Sequence, residues 1–208
     1  RSKGVQSLRP VKRELTINDL VFIVGPRINA AGRIESAKNS VELLVSDDYE
    51  RAYDLGKAIN LLNTERKNLD TLATQEALEM IRVNKALQES KSTILFKPDW
   101  HKGVIGIVAS RLIETYYRPT IICTEAEGMI TGSARSIKGF DIYDAVDSCG
   151  DLLEHFGGHT YAAGLSIKPE NFDKFNERFT AYVEEHLDES ALVPEIEIDS
   201  MLMLRDIN

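Results

Sequence analysis

Apolar positions along the chain fall into three textures. From Thr16 to Val45, in TINDLVFIVGPRINAAGRIESAKNSVELLV, short apolar runs are punctuated by glycine and proline. Thr16 and Asn18 offer caps for a brief helix through Val24, which Gly25 and Pro26 are expected to interrupt. Ser36 caps a second predicted helix with Val41, Leu44 and Val45 on its apolar face. From Asp47 to about Glu89 only Gly56 disturbs a helical pattern: Ala52, Leu55, Ile59, Leu62, Leu69, Leu72, Ala73, Leu78 and Ile81 recur mostly at threes and fours. Asp47 and Asp48 suit a helix start, where the macrodipole favours negative charge. Some forty residues at about 1.5 Å each make a rod near ~60 Å, wider than a small domain. Such a helix joins two bodies; a hairpin folded at Asn63 or Asn84 is the alternative.

After Ser90 strands and helices alternate. STILFKP, PTIICTE, MITGSAR and AAGLSIK read as four strands, and GVIGIVASRLIETYY and DIYDAVDSCGDLLEHF as helices. A last helix, ENFDKFNERFTAYVEEHL, carries Phe172, Phe175, Phe179 and Val183 on one stripe. The fold class is α/β, a mixed β-sheet flanked by helices and preceded by a helical segment with one long helix. The expected divisions are 1–46, 47–90, 91–190 and 191–208. The start at Arg1 and the close on MLMLRDIN suggest a piece of something longer.

At 43% apolar and 28% charged residues, the 208-residue chain has an ordinary globular composition. No apolar run approaches the roughly 20 residues that cross a bilayer, so no membrane association is expected. Two lone cysteines, Cys123 and Cys149, suit a reducing compartment and a cytoplasmic location. The pair His155 and His159 straddles two glycines and makes a poor zinc site; no metal ligands are expected in this chain. The net charge of −8 hides a gradient. Residues 1–40 hold eight Lys/Arg against three acids, whereas the remainder holds 17 against 30. A positive surface for a polyanion and a solvated acidic tail both fit that gradient.

Three predicted loops concentrate donors and small residues: DWHKG, GSARS and FGGH. In an alternating sheet, ligands collect at strand ends. Ser133, Arg135 and Ser136 offer two hydroxyls and a guanidinium, suited to phosphate. His101 and Lys102 precede a helix N-terminus; Trp100 either stacks on a base or fills a core, and His101 either meets an anion or satisfies a backbone group. Gly157 and Gly158 allow close backbone approach beside His159, which can donate to an oxyanion. A phosphate-holding cleft is the common expectation.

GGHTYAAG resembles the GGH-x-x-A-A-G signature of the DHH-associated domain of the DHH phosphoesterase superfamily. Together with GPRINAAGRI, WHKGVIGIVASRL and GSARS in the same order, it is similar to RecJ-type exonucleases specific for single-stranded DNA. The resemblance implies a 5′-to-3′ exonuclease in which a DHH domain holds two Mn2+ or Mg2+ ions. This chain has no Asp-His-His, so that domain and its metals are expected outside it. Residues 1–46 would then be the helical edge of that domain, 47–90 the linker helix, 91–190 the substrate-binding domain and 191–208 the passage to an OB-fold. By itself the segment would be inactive. The resemblance gives Ser133 and Arg135 to the 5′ phosphate, and sets His159, with the substrate-binding Gly157 and Gly158, facing the metal centre, where His159 would stabilise the phosphate being cut. Arg27, Asn29 and Arg33 would line the interdomain passage, contacting the DNA backbone or clamping the domains, with Trp100, His101 and Lys102 as further DNA contacts. The implied partners are single-stranded DNA with a 5′ phosphate and DNA-repair proteins. Two alternatives stay open: a short-oligonucleotide or cyclic-dinucleotide phosphodiesterase, and a non-catalytic nucleic-acid-binding scaffold.

Overall fold

The computed structural model describes residues 3–8, 16–196 and 198–201. The basic residues Arg1, Arg9, Lys12 and Arg13, and most of the segment expected to lead towards an OB-fold (Glu197 and residues 202–208), lie outside the described residues.

After α1 (Lys3–Ser7), α2 (Ile17–Asp19) opens on Thr16, whose side chain accepts from the Asp19 N–H while Asp19 bonds back to the Thr16 N–H at 2.8 Å. The expected break at Gly25 and Pro26 does not occur. Leu20–Val24 widens into a π-helical turn, with the Gly25 N–H bonded to Leu20 O, and α3 (Gly25–Ile34) continues directly from it. The wider turn gives the Pro26 ring, at the start of α3, the space an α-helical turn would deny it. In α4 (Lys38–Val45) the Ser36 hydroxyl accepts from the Lys38 N–H. The buried side is Ser40 and Leu43, and the expected face of Val41, Leu44 and Val45 is exposed, because α4 lies against α1 and α5 through its other edge.

The long helix α5 (Tyr49–Val83) starts on Asp48, which accepts from the Glu50 and Arg51 N–H groups. It passes Asn63 unbroken and stops at Asn84, whose extended backbone leads into α6 (Lys85–Glu89). At ~1.5 Å per residue, 35 residues span about 50 Å, enough to serve two cores. Ala52, Leu55, Ile59 and Leu62 pack with Val24, Ala31 and Leu43 of the N-terminal helices. Ala73, Ala77 and Ile81 pack with Trp100, Val104, Val108 and Leu112 beside the sheet. The far end is anchored by the buried Arg118, whose guanidinium donates to Leu87 O at 2.7 Å, Gln88 O at 3.2 Å and Ser90 O. Cationic donors complement the free carbonyls of a helix C-terminus.

The sheet has five strands in the order β1-β2-β3-β5-β4: β1 (Thr93–Phe96), β2 (Thr120–Ala126), β3 (Met129–Arg135), β4 (Leu153–His159) and β5 (Ala162–Ile167). Only β1 and β2 are parallel. Glu127 and Gly128, both at positive φ, form the two-residue turn between β2 and β3. On one face Ile121, Cys123, Ile130, Leu165 and Ile167 pack against α8 (Ile142–Asp147) and the Phe175–Phe179–Val183 stripe of α9 (Phe172–His186). On the other, α7 (Ile105–Thr115) covers β2 and β3 and rests on α5.

Two segments differ from expectation. The helix expected through Phe156 ends at Asp147, and Leu153–His159 is a fifth strand with FGGH inside it rather than in a loop. The expected strand MITGSAR is β3, so only the reading of GSARS as a loop at its end is corrected: Gly132–Arg135 pairs with β2 on one side and β5 on the other.

Candidate functional site

Directly opposed residues of antiparallel strands point their side chains to the same face. The register of β3, β5 and β4 therefore sets out three rows. Arg135, Ala162 and His159 form the first, Ser133, Gly164 and Gly157 the second, and Thr131, Ser166 and His155 the third. The face they share carries α7 over β3 and is exposed or half-buried along β5 and β4. Arg135 and His159 thus stand two strand spacings apart, about 10 Å at the backbone. The two-residue turn Thr160–Tyr161 is tied down by Ser136 N–H to Tyr161 O at 3.0 Å and Thr160 Oγ1 to Asp141 Oδ2 at 2.8 Å, which fixes the His159 end of the row.

At the other end lies a cavity of about 360 Å³ lined by Arg33, Lys102, Gly106, Thr131, Ser133 and Arg135 among others. Three loci build it. The C-terminal end of α3 docks so closely on the turn before α7 that a Cβ at Gly103 would lie 1.9 Å from Arg33 O, and Arg33 Nη1 donates to Gly103 O at 3.2 Å. Ile105 and Gly106, the first residues of α7, lack intrahelical acceptors for their N–H groups. Arg135 Nη1 donates to Ser133 Oγ at 3.0 Å and to Ala134 O at 2.7 Å. Burial, and then the nearby Arg33, push the Arg135 guanidinium below its ordinary pKa. Neither Arg33 nor Arg135 has a carboxylate partner among the described residues, and the cavity lining contains no acid. This is the electrostatic profile of an anion site.

The structure sorts the remaining candidates. Trp100 is 5% exposed and its Nε1 donates to Glu76 Oε2 at 2.7 Å, so it is a core residue and offers no face to a base. His101 Nδ1 accepts from the Gly103 N–H at 3.0 Å, satisfying the turn that carries Gly103. Lys102 lines the cavity but pairs with Glu127 at 3.0 Å. Arg27 donates to Asn60 Oδ1 at 2.7 Å and Ile23 O at 2.7 Å, an interhelical clamp rather than a free cation. Asn29 is exposed and lies outside the cavity lining. Ser136 Oγ donates to Phe140 O at 2.8 Å and so supports the turn. A Cβ on Gly158 would lie 2.3 Å from Ala162 O, so this glycine permits hairpin closure, whereas a Cβ on Gly157 would meet nothing within 4 Å. Thr131, Gly106, His155 and Ser166 are not among the sequence candidates. MITGSAR and AAGLSIK both read as strands, so their period of two already places Thr131 with Ser133 and Ser166 with Gly164; only the cross-strand register was missing.

Among the described residues no group of three or more His, Cys, Asp or Glu could hold a metal ion. Guanidinium, hydroxyl and amide donors hold anions, so this site does not fit a divalent cation. No helix among them is long and apolar enough to cross a membrane.

Residues 89–185 match the DHHA1 domain family. The single-stranded-DNA-specific exonuclease RecJ of Bacillus subtilis is 39% identical over 188 residues, covering 89% of this chain and 24% of that protein. The RecJ of Escherichia coli is 38% identical over 213 residues, 96% of this chain and 36% of that protein. Among solved structures, RecJ from Thermus thermophilus in complex with Mn2+ matches with a TM-score of 0.80 at 32% identity, over 90% of this chain and 28% of that one. The same protein has also been solved with Mg2+. The chain spans 24% and 36% of the length of these two curated relatives. Residues 89–185 thus match the DHHA1 domain, and the chain that carries them is similar to RecJ in both sequence and fold.

Proposed function

We propose that this chain is the strand-gripping part of a 5′-to-3′ single-stranded-DNA exonuclease, and that Arg33, Ser133 and Arg135 hold the terminal 5′ phosphate. The observation that carries the reading is the pair of guanidiniums left without a carboxylate in an acid-free cavity. A dianionic phosphate monoester supplies the missing charge; a cyclic dinucleotide, which has no terminal phosphate, leaves the cavity's charge half-met. In the same row, His159 lies about 10 Å along from Arg135 at the backbone. With side chains reaching inward from both ends, one nucleotide bridges the row. The phosphate that follows it comes to His159, which donates a hydrogen bond to an oxygen of the bond to be cut. Two divalent ions held by a DHH domain would supply the hydrolytic chemistry, while these residues bind and orient the strand. Lys102 also lines the cavity, but its charge is shared with Glu127 and an ammonium lacks the guanidinium's forked geometry.

The test is equilibrium binding of single strands differing only in a 5′ phosphate or a 5′ hydroxyl. Wild type should prefer the phosphate by roughly tenfold to a hundredfold, the worth of charge-assisted hydrogen bonds. Arg135→Ala should lose most of that preference while binding the hydroxyl strand as before. Retention of the wild-type preference in the variant would remove the cavity from the argument.

A further inference from the structure

His159 is the last residue of β4, the edge strand of the sheet. It pairs with Ala162 on one side and with no strand on the other among the described residues. Gly157 and Gly158, which lead into it, restrain a backbone least of all residues. The His159 ring has no hydrogen-bond partner among the described residues, so its place is set by the backbone on either side. The end of an edge strand is also where a sheet opens most readily.

What holds that end is the loop from Ser136 to Asp141, which begins directly after Arg135. Ile137 and Phe140 anchor the loop in the core, 2% and 5% exposed, and Ser136 Oγ closes it on Phe140 O at 2.8 Å. Three bonds reach from this block to the Thr160–Tyr161 turn. Ser136 N–H donates to Tyr161 O at 3.0 Å, Ile142 N–H to Thr160 O at 3.0 Å, and Thr160 Oγ1 to Asp141 Oδ2 at 2.8 Å. The other Asp141 oxygen accepts from the Tyr143 and Asp144 N–H groups at 2.9 and 3.3 Å, so one carboxylate joins the start of α8 to the residue after His159. With its carbonyl and its hydroxyl both held, Thr160 cannot turn about its own Cα, and the peptide linking it to His159 is held as well.

We propose that Thr160 and Asp141 are positioning residues, whose bond holds the His159 imidazole in place relative to the Arg135 guanidinium. The role rests on the reading of Arg135 and His159 given above. Capping α8 requires Asp141 but not Thr160, which separates positioning from support of the helix.

The test compares Thr160→Val, which keeps the branched shape and the α8 cap and loses the hydroxyl, with Thr160→Ser, which keeps the hydroxyl. In the 208-residue chain the Ser136 and Ile142 amides report on the turn, because they donate to it. Thr160→Val should speed their hydrogen exchange by roughly threefold to tenfold, the worth of one side-chain hydrogen bond, and leave the amides of β2 as in wild type. Joined to the DHH domain, the same variant should remove the first nucleotide of a 5′-phosphorylated strand roughly tenfold more slowly in a single turnover, where a misplacement of about 1 Å costs up to ~100-fold. Its affinity and its preference for a 5′ phosphate should stay those of wild type, and Thr160→Ser should restore both rates. Unchanged exchange in Thr160→Val would overturn the proposal whatever the nuclease does. Faster exchange with a wild-type rate of cutting would leave the bond a support of the turn alone and overturn the positioning role. A loss of affinity in place of rate, or a Thr160→Ser as slow as Thr160→Val, would overturn it too. A wild type without preference for a 5′ phosphate would strike the cavity assignment instead, and the exchange and cutting rates would still decide the role of Thr160.

Discussion

Gly106 occupies the second position of α7, where a methyl group would sit 2.7 Å from Arg135 Nη2 and 2.8 Å from Ser133 Oγ. Both neighbours are side-chain tips that can swing aside. Alanine meanwhile gains up to about 1 kcal/mol over glycine in a helix interior, and less in the first turn. Gly106→Ala should therefore melt no lower than wild type, yet bind phosphate several-fold more weakly because the guanidinium is displaced. Calorimetric titration and thermal denaturation on one preparation separate the two effects; an unchanged affinity would locate the anion elsewhere. Gly103 behaves differently, since its neighbour at 1.9 Å is the Arg33 carbonyl, which moves only with the whole end of α3.

Between elements, the long helix is held to α7 by a buried carboxylate. Asp70 on α5 is fully buried, accepts from Arg66 Nη1 at 2.7 Å and lies 2.7 Å from Arg111 Nη2 on α7. The Arg111 contact is an ion pair without hydrogen-bond alignment, and Arg66 Nε has no acceptor. Removing the acid strands the largely buried Arg66 charge, so Asp70→Ala should lose about 3–5 kcal/mol of unfolding free energy in urea. A loss below about 1 kcal/mol would mean that water already reaches the group. Elements with a clear period were legible in the sequence: the α5 stripe, the Phe175–Phe179–Val183 stripe and the apolar strands β1 and β2. Leu153–His159 was not, because an edge strand with one open face carries glycine and histidine where a buried strand carries valine or isoleucine, and a bulge near Glu154 breaks its alternation. The π turn before Pro26 was also hidden, since local preference reads Gly-Pro only as an interruption. On α4 the spacing of Val41, Leu44 and Val45 marked a stripe but could not say which edge a neighbour would cover.

For the whole molecule, a net charge of −8 coexists with a cavity lined by Arg33, Lys102 and Arg135 and no acid. Attraction is therefore local, and few counterions should leave a bound single strand. With at most three phosphates neutralised, the slope of log affinity against log salt should be near −2, at about −0.7 per phosphate. A slope steeper than about −5 would require a much longer basic track than the described residues supply. The motif resemblance marked both Arg33 and Arg135, but their meeting across 102 positions follows only from the docking of α3 on the turn before α7.

That docking carries an evolutionary corollary. A grip divided between a helix near the start and a strand far downstream cannot be transplanted by shuffling either segment alone. Descendants that borrow only the sheet would inherit its strand rows and its histidines but would have to find a second guanidinium of their own.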